Sequence, residues 1–390
     1  MIVKRILFRS IDPYIESPEA IIVSGMRRTG KTTLLEHYLE IVPSSNKLLL
    51  DLENPVNRKI FEDPNYDGIK HALEIRGLDF SKRPYIFLDE IQFARSAPSV
   101  VKYFIDHHGA KFFLTGSASF YLKNVFSESL AGRKYIFELH PLSFREFMDF
   151  KGSPIRIPER GGQIQAQDFE LISPYYEEFI RYGGFPGVVL KSRAEEKERA
   201  LDEIFMSFYQ YEILQIGDFR KNEVIRNLIL LLAERTGSKL EVQGLSRELG
   251  LSRPTLSAYL AFLEGTYLIK TIRPYSRGLD SELRRLPKMY FCDSGLAGRL
   301  ARLDAGHLFE NSIFQSLRSQ GELNYYQKKN GAEIDFILDK KTAFEVKTTA
   351  NAADVRALNK ITETLNLQYG AVISRHYTTV PGVEFGFALP

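Results

Sequence analysis

The chain reads as an α/β protein: a parallel-sheet phosphate-binding domain at the front, a helical segment and a winged helix in the middle, and a second, smaller α/β domain at the end. Three observations predict this order. A glycine loop lies between a buried apolar run and an amphipathic helix near the N-terminus. A helix-turn-helix spacing runs from Val242 to Leu260. Two short alternating segments near the C-terminus, Ala332 to Leu338 and Glu345 to Lys347, carry carboxylates and a lysine. At 390 residues the chain exceeds one ordinary core, and the expected divisions are 1–145, 146–235, 236–292 and 293–390.

Gly25-Met26-Arg27-Arg28-Thr29-Gly30-Lys31-Thr32 satisfies G-x-x-x-x-G-K-[ST] at every fixed position, after the apolar run Ala20 to Ser24 and before the helical pattern Lys31 to Leu39. In such a loop the backbone N–H groups and the helix N-terminus wrap phosphates. Lys31 would reach the β- and γ-phosphates and Thr32 would hold Mg²⁺. Gly25, Arg28, Thr29, Gly30, Lys31, Thr32 and Thr33 are the expected nucleotide contacts, and ATP with Mg²⁺ the expected ligand. Lys47 to Leu52 reads as a second strand. Tyr85 to Glu90 is an apolar strand ending in two carboxylates, of which Asp89 would complete the metal shell and Glu90 would polarise the attacking water. Lys111 to Ser117 is another buried strand with hydroxyls at its carboxyl end. There Thr115 and Ser117 either sense the γ-phosphate and water or cap a helix starting near Ser119.

The net charge of +3 is nearly balanced, so only local clustering bears on nucleic acid. Cys292 is the sole cysteine, which excludes an internal disulfide framework or a cysteine zinc cluster and fits a cytoplasmic protein. Lys4, Arg5 and Arg9 interrupt the apolar start before a signal peptide could form, and no apolar run reaches membrane-spanning length.

The phosphate loop, Leu88-Asp89-Glu90, Leu114-Thr115-Gly116-Ser117, and Leu130-Ala131-Gly132-Arg133 leading into His140 to Phe147 together resemble the AAA-like ATPases common in archaea and bacteria, of the additional-strand catalytic-glutamate class. The resemblance implies a parallel sheet with a helical lid and a homo-oligomer in which Arg133 serves a neighbouring subunit as an arginine finger. A surface ion pair is the other reading of Arg133.

In the middle of the chain Phe205, Phe208, Tyr209 and Tyr211 read as lid core. Further on, Gly250 permits a tight turn, Ser252 is a natural N-cap and Pro254 falls in the first turn of the second helix. The region from Arg253 to Arg302 is locally basic, with Arg253, Lys270, Arg273, Arg277, Arg284, Arg285, Lys288, Arg299 and Arg302 against Glu264, Asp280, Glu282 and Asp293. That excess suits DNA phosphates, while protein docking is the other use of such a module.

The last stretch offers Glu310 on a helical pattern, Asp335 on one strand of a hairpin turned at Asp339 to Lys341, and Glu345 and Lys347 on the other. It resembles the PD-(D/E)xK nuclease superfamily, which implies Mg²⁺ or Mn²⁺ held by Glu310, Asp335 and Glu345, with Lys347 compensating charge during DNA cleavage. Ile334 stands where the name pattern has proline. The functional expectation is an ATPase coupled to DNA with a metal-dependent nuclease. Its rival is a nucleotide-controlled DNA- or protein-binding switch with an inactive nuclease-like fold, in which the same charges form a solvated ion-pair network.

Overall fold

The computed structural model describes residues 2–117, 130–216, 222–276, 285–328 and 331–389. The helix expected near Ser119, together with Arg277, Asp280, Glu282 and Arg284 of the charge cluster, lies outside them. The chain forms two compact units, Met1–His140 with Gly265–Tyr267, and Pro141–Glu264 with Leu268–Pro390. Among the described residues no helix is long and apolar enough to cross a membrane.

The first unit is built on five parallel strands: β1 (Ala20–Ser24), β2 (Lys47–Asp51), β3 (Tyr85–Asp89), β4 (Lys111–Gly116) and β5 (Lys134–Glu138). They lie in the order β2-β3-β4-β1-β5. Helices cover both faces, so the central strands β1, β3 and β4 are buried along their whole length and read as continuous apolar runs. The period of two still sorts their side chains. Ile22, Ile86, Leu88, Phe112 and Leu114 enter one core, while Ile21, Val23, Tyr85, Phe87 and Phe113 enter the other. Register aligns the carboxyl ends: Ser24 lies beside Gly116, and Asp51 beside Asp89. The loop after β1, the carboxylates ending β3 and the hydroxyls ending β4 thus leave the sheet at one edge, where an open α/β sheet places its ligand.

The second unit holds seven strands: β6 (Ile269–Pro274), β7 (Lys288–Phe291), β8 (Leu323–Gln327), β9 (Glu333–Leu338), β10 (Thr342–Lys347), β11 (Tyr369–Ser374) and β12 (Val383–Phe385), in the order β12-β11-β10-β9-β8-β6-β7. The helices Phe144–Phe150, Ala166–Tyr182 and Ala305–Leu317 share one core with Ile272, Tyr290, Tyr325, Phe336, Phe344 and Ile373 of this sheet. The helix Ala352–Leu365 packs Leu358 and Leu365 with Ile334, Ile337, Ala343 and Val372 in a second core. The stretches expected as lid, winged helix and C-terminal domain fall within this one compact unit, and apolar side chains from all three enter one core.

Two local predictions take their expected form. After the helix Val242–Glu248, Gly250 adopts φ 62° and the Leu251 N–H returns to the Ser246 carbonyl at 2.9 Å. Ser252 then caps the helix Arg253–Gly265, its Oγ accepting from the Thr255 N–H at 3.2 Å. The β6–β7 pair that follows is no free wing, since β6 also pairs with β8 through Arg273↔Asn324 and Pro274↔Tyr325. Between β9 and β10, Asp339 and Lys340 both take left-handed φ, 50° and 57°, and the Lys341 N–H bonds the Leu338 carbonyl at 3.0 Å. That is the type I′ geometry whose twist matches a two-residue hairpin.

Candidate active site

The glycine loop is shaped by what surrounds it. A Cβ on Gly25 would lie 2.2 Å from the Leu139 carbonyl oxygen, so only hydrogen fits there. Gly30 takes φ 100° and turns the chain into the helix Lys31–Ile41, whose first N–H groups have no partners within the helix. Thr29 is buried; its Oγ1 donates to the Met26 carbonyl at 2.9 Å, and Arg5 donates to the Thr29 carbonyl at 3.0 Å. Lys31 is buried, and its Nζ donates to the carbonyls of Gly25 and Met26 at 3.0 and 3.1 Å. Arg28 is exposed at φ 65°, and Thr33 is exposed on the helix.

The Thr32 hydroxyl donates to Asp89 Oδ2 at 2.7 Å, and Thr115 Oγ1 donates to Asp89 Oδ1. Thr115 also accepts the Glu90 N–H at 3.1 Å. Burial pushes the Asp89 carboxyl up, against the pull of the Thr115 and Thr32 hydroxyls. Glu90 has φ 54° and ψ 51°, a left-handed conformation that turns the chain sharply at the end of β3. Burial opposes its charge, yet the cations of Lys31 and Arg27 and the donors on Gln92 and Ser117 outweigh that cost and hold it below the ordinary glutamate value. Glu90 is thus kept as a buried carboxylate, the form that can take a proton. The oxygen donors of Thr32 and Asp89 are the type a magnesium ion requires, and these two residues would hold it beside the phosphates.

Arg133 stands apart from this group. It precedes β5, where its carbonyl accepts the Ala20 N–H at the amino edge of the sheet. Its Nε pairs with Asp106 at 2.6 Å. It is therefore at the opposite edge from the loop of its own chain.

The second cluster departs from the expected metal site. Lys288 of β7, counted in the sequence with the local basic excess, is buried, and its Nζ lies 3.4 Å from Glu310, 2.7 Å from Glu333 and 3.3 Å from Asp335. Burial alone would lower its proton affinity, but the carboxylates of Glu310, Asp335 and Glu333 raise it above the usual lysine value. Tyr290, two residues along the same strand, donates to Glu310 at 2.6 Å. Asp335 Oδ2 accepts the Val346 N–H at 2.9 Å, so one of its oxygens serves the hairpin. Lys347 pairs with Glu345 at 2.6 Å rather than standing free. Among the described residues no three His, Cys, Asp or Glu side chains are arranged to hold a metal ion. The Lys288 ammonium group lies among Glu310, Glu333 and Asp335, a cation the sequence did not place beside these carboxylates.

Glu345 Oε2 is buried without a hydrogen-bond partner. Burial, then the Asp335 charge, raises the Glu345 carboxyl from an ordinary 4.5 to about 7 despite Lys347. The folded state thus binds this proton more tightly than the unfolded state. The resulting stability is complete below the unfolded value and is lost as pH rises through about 7. Replacing Glu345→Gln should accordingly raise stability relative to the parent more at about pH 8 than at about pH 5, as read from urea unfolding at both pH values.

The sheet order, the glycine loop and the paired carboxylates ending β3 have the arrangement of a P-loop nucleotide-binding fold. Residues 17–148, within which the five-stranded sheet lies, match the family model described as an AAA domain. Residues 173–307 and 305–390 match two domains of unknown function, DUF8612 and DUF4143. The chain is 28% identical over 362 residues to an uncharacterized protein of Haemophilus influenzae, covering 85% of this chain and 84% of that one. It is 26% identical over 379 residues to the uncharacterized protein MJ1544 of Methanocaldococcus jannaschii, covering 93% and 83%. A solved structure of the Aeropyrum pernix ORC2 protein in its ADP form aligns at a TM-score of 0.35 and 13% identity over 70% of this chain and 87% of that one.

Proposed function

We infer that the protein hydrolyses ATP in its first unit and uses its second to engage DNA without cutting it. The observation that carries the hydrolytic reading is the joined end of β3: Asp89 bonded to Thr32 of the phosphate loop, with Glu90 next to it as a buried carboxylate. In this arrangement the loop and Lys31 would bind the phosphates, and Thr32 and Asp89 would hold a magnesium ion, which would neutralise phosphate charge. Glu90 accepts the proton of the attacking water.

DNA engagement is supported by the helix pair Val242–Glu248 and Arg253–Gly265 and by Arg253, Lys270, Arg273 and Arg285, which are exposed. Contacts of this kind are electrostatic and weaken with salt. The absence of cleavage is supported by Lys288, whose ammonium compensates the carboxylates a catalytic cation would need.

ATP turnover and DNA integrity, measured together on duplex, single-stranded and branched DNA with Mg²⁺ and with Mn²⁺, test both parts. Glu90→Gln is expected to bind ATP as the parent does and to turn it over about 100-fold more slowly or less. Turnover at the parental rate would remove Glu90 as the base. Cleavage that disappears in Asp335→Ala would restore a nuclease.

A further inference from the structure

The turn that follows Glu90 carries a buried amide with no part in the hydrolytic reading beyond favouring the Glu90 charge. Gln92 lies in the 3₁₀ turn Ile91–Phe93 and is buried. Its Nε2 donates to Glu90 Oε2 at 2.5 Å and to Ser117 Oγ at 2.9 Å. The opposite amide orientation would set Oε1 against a carboxylate oxygen, acceptor facing acceptor, so the carboxylate fixes which way the amide points. In this orientation Oε1 is buried with no hydrogen-bond partner. A glutamine serving only to fill space would not hold both amide hydrogens on two functional side chains while leaving its own oxygen unsatisfied. Both bonds go to the edge of the sheet where the carboxylate must stand, one to the group itself and one to the hydroxyl just beyond the end of β4.

We propose that Gln92 is a positioning residue for ATP hydrolysis, a clamp that fixes the Glu90 carboxylate against Ser117. The need for such a clamp follows from the backbone. Glu90 sits at a left-handed turn, so its side chain leaves the strand in a direction the ladder does not fix. Its backbone N–H is held by Thr115, and the far end of the side chain is held by Gln92. Gln92 acts through Glu90, so this role depends on Glu90 being the base; the ATPase reading does not depend on Gln92.

The test compares Gln92→Ala, Gln92→Asn and Ser117→Ala with the parent, and adds the pair Glu90→Gln and Glu90→Gln/Gln92→Ala. Steady-state ATP turnover and equilibrium binding of a fluorescent ATP analogue are both measured. Gln92→Ala is expected to lower kcat about 10- to 100-fold, because a displaced base forfeits alignment. The KM and the analogue's Kd should stay within about twofold, because the Gln92 amide bonds go to Glu90 and Ser117. Gln92→Asn keeps the amide but shortens its reach, and should fail to restore kcat. Ser117→Ala should also lower kcat, since it removes both the second anchor of the amide and a hydroxyl that favours the Glu90 carboxylate. In the Glu90→Gln background, Gln92→Ala should cost almost nothing further, the non-additivity expected of residues acting as one unit. Additive losses, an unchanged kcat, or a loss confined to KM and Kd would overturn the clamp while leaving the ATPase reading intact. A parent protein that binds the analogue but turns over no ATP would overturn both. Should Gln92→Ala not fold, the Gln92→Asn and Ser117→Ala kcat values decide the matter alone.

Discussion

ATP turnover is expected to fall about 1,000-fold in Lys31→Ala, the size of effect seen when a preorganised donor to transition-state charge is removed. The ammonium is buried at the loop, within 3.1 Å of two of its carbonyls. Unlike Glu90→Gln, this change should also weaken nucleotide binding, because Lys31 would meet the phosphates in the ground state as well as in the transition state. A fluorescent ATP analogue separates the two variants: Glu90→Gln retains it, Lys31→Ala does not. Thermal unfolding checks that the loss is local. Parental turnover by a folded Lys31→Ala protein would show that the glycine loop is not the phosphate site.

The second large effect is thermodynamic. Lys288→Met leaves Glu310, Glu333 and Asp335 without their common ammonium while keeping the methylene volume. Removing one partner of a buried charge group costs about 3–5 kcal/mol, and urea unfolding should show a loss of that order. The loss should shrink at low pH. Burial and the Asp335 charge already raise the Glu310 carboxyl, and without Lys288 it would bind a proton still more readily in the folded state. Adding Glu310→Gln to Lys288→Met should recover part of the stability by removing one uncompensated charge. If Lys288→Met were neutral at pH 7 and the variant instead gained affinity for Mn²⁺, the group would be a latent metal site rather than an ion-pair core.

The two sites differ in how far they were legible in the sequence, and for a physical reason. The first is local: a loop, the helix it opens and a strand ending in two carboxylates are contiguous strings, and their pattern carries their geometry. Gly25, Lys31, Thr32, Asp89 and Thr115 lie at one sheet edge because parallel register aligns strand ends. Gln92 is only two residues from Glu90, yet its use depends on a left-handed turn that no composition announces. The second site is non-local. Lys288 stood in a run of basic residues that looked like a phosphate-binding surface, and only the pairing of β6 with both β7 and β8 carries it inward to Asp335, 47 residues away. The alternation of Lys288 with Tyr290 placed both on one strand face, but not which face was buried. Asp293, counted in the sequence against that basic excess, is buried and accepts from the N–H groups of Gly184 and Leu296 at 2.7 and 3.0 Å.

The junction of β6 with β8 bears on how such a protein can be inherited. β6 and β7 fall within the stretch matching one domain of unknown function, 173–307, and β8 to β12 within the stretch matching the other, 305–390. The border between these two sequence families therefore runs through a single sheet. Recombination at that border would part Arg273 from Asn324 and Pro274 from Tyr325, leaving each fragment with a bare strand edge, the surface that invites pairing with another chain. Lys288 would remain in one fragment, and Glu310, Glu333 and Asp335 in the other. Either stretch expressed without the other is therefore expected to expose that edge and associate with itself.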